Sequence, residues 1–297
     1  MFRIWFRASR PFTFTGAIVP VLIGTSLAFR EGSVDMWLFL LVLIGSLMVQ
    51  IATNLVDEYT DHARPEGQEK LLAPYKVIAL GLLSSTAVKW GAMVCFGIAA
   101  LIGTYLVIQT GWPILMICIA SIIVAYFYSA GPLPLGNIGL GQPLVFIFMG
   151  PVMVMGAYYI QIQSFTVESA WLSIPVACTV SAILVSNDLR DFEEDRVAAK
   201  RTPVTIFGRQ FGCWEWSLLV VAAYITIFGL AATGLLGMIG LLPILALPQA
   251  SKAFRLIWNG HERAQLAPAL PATARFHGQF GFLLAAGIAL QRLLSYT

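Results

Sequence analysis

"MWLFLLVLIGSLMVQIATNLVDEYTD", residues 36–61, decides how this chain must be read. Residues 36–56 carry no charge and are long enough to cross a hydrocarbon core of roughly 30 Å as a helix. Asp57, Glu58 and Asp61 then follow at once, where a membrane span should avoid charge. The rest of the chain repeats the apolar theme: 58% of its 297 residues are hydrophobic and 11% are charged, far from the balance of a soluble domain. Its apolar runs are continuous and do not alternate residue by residue, which argues against a β-barrel. An all-α, polytopic transmembrane helix bundle remains, because in lipid a helix satisfies its own backbone hydrogen bonds.

Working outward with Gly, Pro and charge as punctuation gives about nine helices, near 12–29, 36–56, 87–108, 112–129, 139–161, 170–189, 214–233, 235–250 and 277–295. The eighth is short, and "GLLGMIGLLPILALP" carries two prolines. Residues 1–297 read as a single transmembrane domain. On this layout every Lys and Arg except Arg30 and Arg292 falls on one side. The positive-inside rule therefore puts the N-terminus in the cytoplasm and the C-terminus outside, in a bacterial or archaeal cytoplasmic membrane. "MFRIWFRASRPF" lacks the apolar core and cleavage site of a removable signal and reads as a basic, aromatic lead-in to the first span. Cys95, Cys118, Cys178 and Cys213 are scattered singly, with no metal or disulfide spacing, and read as packing residues.

Ten of the fifteen acids gather in two loops on the basic side. Asp57, Glu58, Asp61, Glu66 and Glu69 follow the second span; Asp188, Asp191, Glu193, Glu194 and Asp195, within "NDLRDFEED", follow the sixth. Two such loops suggest two halves with a cytosol-facing central cavity between them. Asp57 and Asp61 are four apart, as are Asp191 and Asp195, so each pair projects from one face if its helix continues. Like charges at this spacing weaken a helix by tenths of a kcal/mol, and an acid at the bilayer centre costs about 3 kcal/mol. The acids therefore line a water-filled mouth or are neutralised by cations. Carboxylates without His or Cys suit a hard cation such as Mg2+, which binds one or two carboxylates together with substrate phosphate. Lys76, Arg190, Arg196, Lys200 and Arg201 are near enough in sequence to hold a diphosphate bridged by that metal. A phosphorylated lipid substrate satisfies both observations.

The two acidic stretches resemble the aspartate-rich motifs of the UbiA superfamily of intramembrane prenyltransferases. Within it the likeness is to the MenA type, the branch that prenylates 1,4-dihydroxy-2-naphthoate in menaquinone biosynthesis. The similarity runs along nearly the whole chain: "RASRPFTFTGAIVPVLIGTSLAF", "ATNLVDEYTD", "KVIALGLLSS", "YSAGPLPLGNIGLGQPLVFIFMGPVMVMGAYY", "SNDLRDFEEDRVAAKRT" and "LPATARFHGQFGFLL" occur in the family's order. By this resemblance Asp57, Asp61, Asp191 and Asp195 are the metal ligands, with Asn54, Glu58 and Asp188 as second choices. Asp57-Glu58 stands where the family has Asn-Asp, a further downstream acid is represented by Glu66, and Gln142 occupies a position where an acid is expected.

The resemblance implies Mg2+-dependent electrophilic alkylation. The diphosphate of a polyprenyl diphosphate leaves and an aromatic ring captures the allylic cation; in the MenA type carbon dioxide is lost and demethylmenaquinone forms. Asp61, Asp191 and Asp195 are then catalytic, and Tyr128 is the first aromatic candidate to stabilise the cation, ahead of Tyr158 and Tyr159. His62 and His277 are candidate acid or base groups. Other acceptors within the superfamily (chlorophyll, tocopherol, haem O or ether-lipid type) stay open, as does a cation-coupled secondary transporter. A transporter predicts acids in mid-helix, whereas here both clusters sit at helix ends. Neither stretch reproduces the pattern of a Gly and an Arg set among aspartates that marks phosphoalcohol-transferring enzymes. "GPLPLGNIGLG" forms no nucleotide fingerprint, and the basic side follows from membrane topology and gives no case for nucleic acid.

Overall fold

The computed structural model describes residues 1–32, 34–63 and 76–295 and contains helices and turns but no strand among them. A short helix, α1 (Phe2–Ala8), leads through a 3₁₀ turn at Pro11–Thr13 into α2 (Thr15–Glu31). Asp35 caps α3 (Met36–His62) by accepting the amides of Trp37 and Leu38. Ser84 caps α4 (Ser85–Thr110) in the same way, and Gly111, at φ 89°, turns the chain directly into α5 (Trp112–Phe127). The next span is built in three pieces: α6 (Gly141–Ile147), a π-helical turn over Phe148–Val152 that contains Pro151, and α7 (Met153–Ile162). A capping box of Thr166 and Ser169 starts α8 (Val167–Arg190).

Two short helices, α9 (Phe192–Val197) and α10 (Pro203–Phe207), bridge to α11 (Arg209–Ala232). A 3₁₀ segment, Met238–Ala246, continues into α12 (Leu247–Asn259), and the one-turn α13 (Arg263–Leu266) precedes α14 (Ala269–Ser295).

Six of these helical segments are individually long and apolar enough to cross a membrane. The shorter apolar α5, the composite Met238–Asn259 and the 27-residue α14 occupy the stretches of the remaining expected helices, and the six apolar spans make the chain a polytopic membrane protein. The differences from expectation are local. The final helix begins at Ala269 and not near 277, because Pro271 falls in its first turn, where a missing N–H costs nothing. The eighth span changes helix type partway, as its prolines require.

Lipid is as apolar as leucine, so close packing and not water exclusion holds such a bundle together. Helix α2 lies against α7 and α14, α3 runs along α4, and α8 along α11. Small residues permit the contacts. A Cβ on Gly24 would meet the Val154 carbonyl oxygen at 2.3 Å, and one on Gly150 would meet the Ala177 Cβ at the same distance. One core gathers Ala52, Leu55, Val88 and Phe96 around α3 and α4; another gathers Leu172, Trp216, Phe276 and Phe280 around α8, α11 and α14. Between these two halves lies a cavity of about 390 Å³.

Candidate functional site

The cavity has two chemically different ends. Its apolar wall is drawn from α3, α4, α5 and the α6–α7 span, including Val42, Leu106, Ile114, Phe148, Met153 and Ile160. Its polar end is formed by Asn54, Asp57, Asn187, Asp188, Asp195, Lys200, Tyr128, Ser129 and Arg10. Both acid clusters therefore reach one cavity, but each contributes only part of its acids.

Helix α3 continues unbroken past Asp57, Glu58 and Asp61 to His62, as expected from the four-residue spacing. Asp57 lines the cavity and is held by Arg10 at 2.6 Å and by the Ser129 hydroxyl, which donates at 3.1 Å. One turn further, Asp61 accepts a hydrogen bond from Lys76 at 2.9 Å and does not line the cavity. Glu58, 2% exposed, accepts the Ile78 amide at 3.1 Å and lies 3.6 Å from the same Lys76 ammonium. Burial alone would lower the pKa of Lys76, yet Asp57, Asp61 and Glu58 together raise it above its ordinary value. Lys76, expected as a diphosphate ligand, thus neutralises the acids behind Asp57. Asn54 donates to the Ser9 carbonyl and the Thr13 hydroxyl, tying α3 to the N-terminal segment. Glu66 lies outside the described residues.

The second cluster departs from the expected continuous helix. α8 ends at Arg190, Asp191 takes a non-helical conformation (φ −97°, ψ 15°), and α9 follows at once, the Asp195 amide still donating to the Asp191 carbonyl. The two acids are therefore carried on either side of an interruption in the helix and not on one regular helix. Arg190 grips Asp191 through two hydrogen bonds, at 2.6 and 2.8 Å, and Arg263 approaches it at 3.4 Å while also pairing with Glu194. Asp191 and Arg190, expected at the metal and the diphosphate, are absent from the cavity lining. Asp188 and Asp195 take the inward positions. Ala199 adopts a left-handed φ of 50°, the Lys200 amide closes back on the Asp195 carbonyl, and the Lys200 ammonium comes within 3.5 Å of the Asp195 carboxylate. Arg196 stays exposed, paired with Glu193 at 3.5 Å, and exposed Arg201 meets the site through its backbone, its amide donating to the Asn137 carbonyl. Neither guanidinium lines the cavity.

Tyr128 stands just past the end of α5 at the junction of all three inward carboxylates. Burial and the charges of Asp188, Asp57 and Asp195 push its phenol well above the ordinary range, so it is a neutral hydroxyl. Gly136 and Gly141, which follow α5 in the chain, pass so near its ring and hydroxyl that a Cβ at either would lie 3.1 Å away. Gln142 has a physical reason for replacing an acid: its amide donates to Asp188 at 3.2 Å, where a carboxylate would repel. Tyr158 and Tyr159 are elsewhere, hydrogen-bonded to Glu31 and to the Thr110 carbonyl. His62 is exposed, and His277 is buried against the Thr179 hydroxyl and the Thr15 carbonyl; neither lines the cavity.

Arg10, Ser129 and Asn187 were not anticipated. Counting cations by side assigned Arg10 only to the basic face. The signal present was its place before Pro11, and the structure gives Arg10 a left-handed φ of 54° that turns it toward Asp57. Among the described residues no three His, Cys, Asp or Glu side chains form a preformed metal cluster. The donor set is nonetheless all oxygen, with carboxylates spaced around an open cavity. That suits a hard cation completing its shell with phosphate and water better than a closed protein cage.

A membrane bundle that holds charged groups at one end of an apolar cavity is built for an amphiphile whose head and tail need different surroundings. Similarity to known proteins agrees. The profile of the UbiA prenyltransferase family matches residues 17–278, and the chain belongs to that family: it is an integral membrane prenyltransferase. It is 32% identical over 297 residues to the 1,4-dihydroxy-2-naphthoate octaprenyltransferase of Bacillus subtilis, covering 100% of this chain and 94% of the relative. It is 29% identical over 301 residues to the protein of the same name from Escherichia coli, covering 97% and 96%. Among solved structures, an apo UbiA homolog from Aeropyrum pernix superposes with a TM-score of 0.68 at 13% identity, covering 94% of this chain and 97% of that one. A UbiA homolog from Archaeoglobus fulgidus bound to DMAPP and Mg2+ superposes with a TM-score of 0.64, also at 13%, covering 95% and 99%.

Proposed function

We propose that this prenyltransferase moves a polyprenyl group from its diphosphate to 1,4-dihydroxy-2-naphthoate, with loss of carbon dioxide, to give the hydroquinone form of demethylmenaquinone. The observation that carries prenyl diphosphate as donor is the two-ended cavity, with three carboxylates and two cations at one end of a long apolar wall. The choice of acceptor rests on the names of the full-length relatives.

Asp57, Asp188 and Asp195 would hold Mg2+, with Asn54 and Asn187 as neutral oxygen donors and Asp61, Asp191 and Glu58 paired behind them. When bound, Mg2+ supplies charge neutralisation of the departing diphosphate, worth several kcal/mol. Lys200 and Arg10 add positive charge at the same end and orient the diphosphate. The allylic carbon–oxygen bond breaks with its electron pair on the diphosphate; a ring carbon of the acceptor donates a pair to the allylic carbon, and carboxylate loss restores aromaticity. Tyr128, held neutral, presents a polar hydroxyl and a ring face beside the developing cation. The apolar wall excludes water that would quench it. Both acid clusters and the N-terminus then face the cytoplasm, and the C-terminus faces outward, as the distribution of Lys and Arg supports.

The test is transfer from radiolabelled polyprenyl diphosphate to dihydroxynaphthoate by membranes containing the protein, with and without Mg2+. Metal-dependent formation of a decarboxylated prenyl product supports the proposal. Diphosphate binding without product on this acceptor would remove the naphthoate and retain the family chemistry.

A further inference from the structure

A second charged feature lies far from the cavity, on the outside of the eighth span. Pro248, Ser251, Lys252, Arg255 and Asn259 project from one side of α12 and, with Gln265 from α13, line a cleft. At about 100° per residue, these five helix positions fall within an arc of roughly 100°. The buried Ala250, Ala253 and Ile257 occupy the opposite face. The polar stripe thus looks out of the bundle, toward the surrounding bilayer.

Its depth can be worked out from the helix types. The 3₁₀ segment Met238–Ala246 rises roughly 18 Å at about 2 Å per residue. α12 adds roughly 20 Å at about 1.5 Å per residue. Measured from the opposite interface at Gly237, a hydrocarbon core of about 30 Å ends near Phe254 and Arg255. Exposed Leu245 and Leu247 lie above that level in the apolar zone, while Trp214 and Trp258, in edge contact at 5.0 Å, mark the interface itself. Arg255 therefore stands at the edge of the hydrocarbon core on the acid-bearing side and Lys252 roughly 3 Å inside it, from where their long side chains reach the lipid phosphates.

Lys252 and Arg255 are both exposed. Among the described residues neither makes an ion pair or side-chain hydrogen bond, and the acid nearest in sequence, Glu262, is engaged in capping α13. The exposed carbonyls at the end of α12, which basic side chains often satisfy, are taken by Arg209, whose guanidinium donates to Ile257 and Gly260. Ser251 and Asn259 place hydroxyl and amide groups on the same stripe.

We propose that this cleft binds the phosphate of an anionic phospholipid in the acid-side leaflet, with Lys252 and Arg255 bridging the headgroup and Ser251, Asn259 and Gln265 hydrogen-bonding around it. An anionic lipid meets both the charge and the depth; a soluble anion meets only the charge.

The test uses the purified full-length protein in detergent, with thermal unfolding followed as lipid is added. Phosphatidylglycerol is expected to raise the unfolding temperature where phosphatidylcholine and inorganic phosphate do not. The Lys252→Gln/Arg255→Gln double variant should bind phosphatidylglycerol about 30-fold more weakly, the factor for losing two juxtamembrane cations. A charge-preserving variant, Lys252→Arg/Arg255→Lys, should keep the response and controls for folding. Lys89→Gln, which removes an exposed cation on the same side, should leave it intact. The proposal is overturned if the double glutamine variant responds like the wild type, if inorganic phosphate reproduces the shift, or if Lys89→Gln weakens it equally.

Discussion

The two acid-bearing helix ends start from similar sequence and reach the cavity by different routes. At the first, α3 runs straight through to His62, Asp57 faces inward, and Lys76 neutralises the two acids behind it. At the second, α8 breaks at Asp191, Arg190 and Arg263 restrain the acid at the break, and α9 carries Asp195 back beside the cavity. Asp188 and Asp195, seven residues apart, keep the near-alignment of i and i+7 across the break and both face the cavity, whereas at the first end Asp61 is drawn away from it by Lys76. The difference also shows where strain is spent. Arg10 and Ala199, two of the three non-glycine residues with left-handed φ among the described residues, flank or form the turns that deliver the cavity's cations. Each costs of order 1 kcal/mol and persists because surrounding contacts fix it.

That contrast can be broken by comparing inward and outward acids. Asp188→Asn and Asp195→Asn are each expected to slow prenyl transfer about 10²- to 10³-fold at saturating Mg2+, the usual scale for removing one preorganised charge contact. Asp191→Asn should slow it less than tenfold and instead lower thermal stability by about 3 kcal/mol, because buried Arg190 loses the charge it is paired with and Arg263 loses one of its two partners. If Asp191→Asn costs more rate than Asp188→Asn, the inward assignment is wrong.

The cations sharpen the comparison further. Lys200→Met is expected to raise KM for the prenyl diphosphate about tenfold, whereas Lys76→Met should leave KM alone and destabilise the first cluster. The raised pKa of Lys76 gives that pair a signature in alkali. Its contribution is complete below the unfolded value of about 10.4 and is lost as pH climbs through the higher folded value. Wild-type unfolding temperature should therefore fall above about pH 10.5 more steeply than that of Lys76→Met. The smallest effect is expected for Ala199→Gly, which relieves the left-handed backbone and should stabilise the protein by up to about 1 kcal/mol with little change in rate. Destabilisation would mean that the methyl group packs more than the turn strains.

Most of the architecture was legible because membrane spans are written as long apolar runs, and the expected and observed helices largely coincide. The break in α8 was not. "NDLRDFEED" has neither Gly nor Pro, and its acids keep helical spacing, so local sequence favours continuation. The decisive contacts come from Arg263, distant in sequence. Which acid of each cluster faces inward was hidden for the same reason: charge pairing is settled by tertiary neighbours, as Lys76 and Arg10 illustrate. Tyr128 could be singled out only because it opens the loop that resembles the family's; Gly136 and Gly141 of that loop pack against its ring and hydroxyl.

The π-helical turn at Phe148–Val152 has a consequence for how this span tolerates insertion and deletion. Cavity-lining positions along α6 and α7 recur in two rows four residues apart, from Leu144 to Ile160 and from Val145 to Ala157. In an ideal α-helix a four-residue row drifts about 40° per step, so the first row would swing roughly 160° off the cavity over its length. The wider π turn winds less per residue and corrects part of that phase error midway. Losing a single residue there would rotate Met153, Gly156 and Ile160 by about 100° toward lipid without changing any side chain that lines the site. The span is thus more vulnerable to a change in length than to most changes in composition.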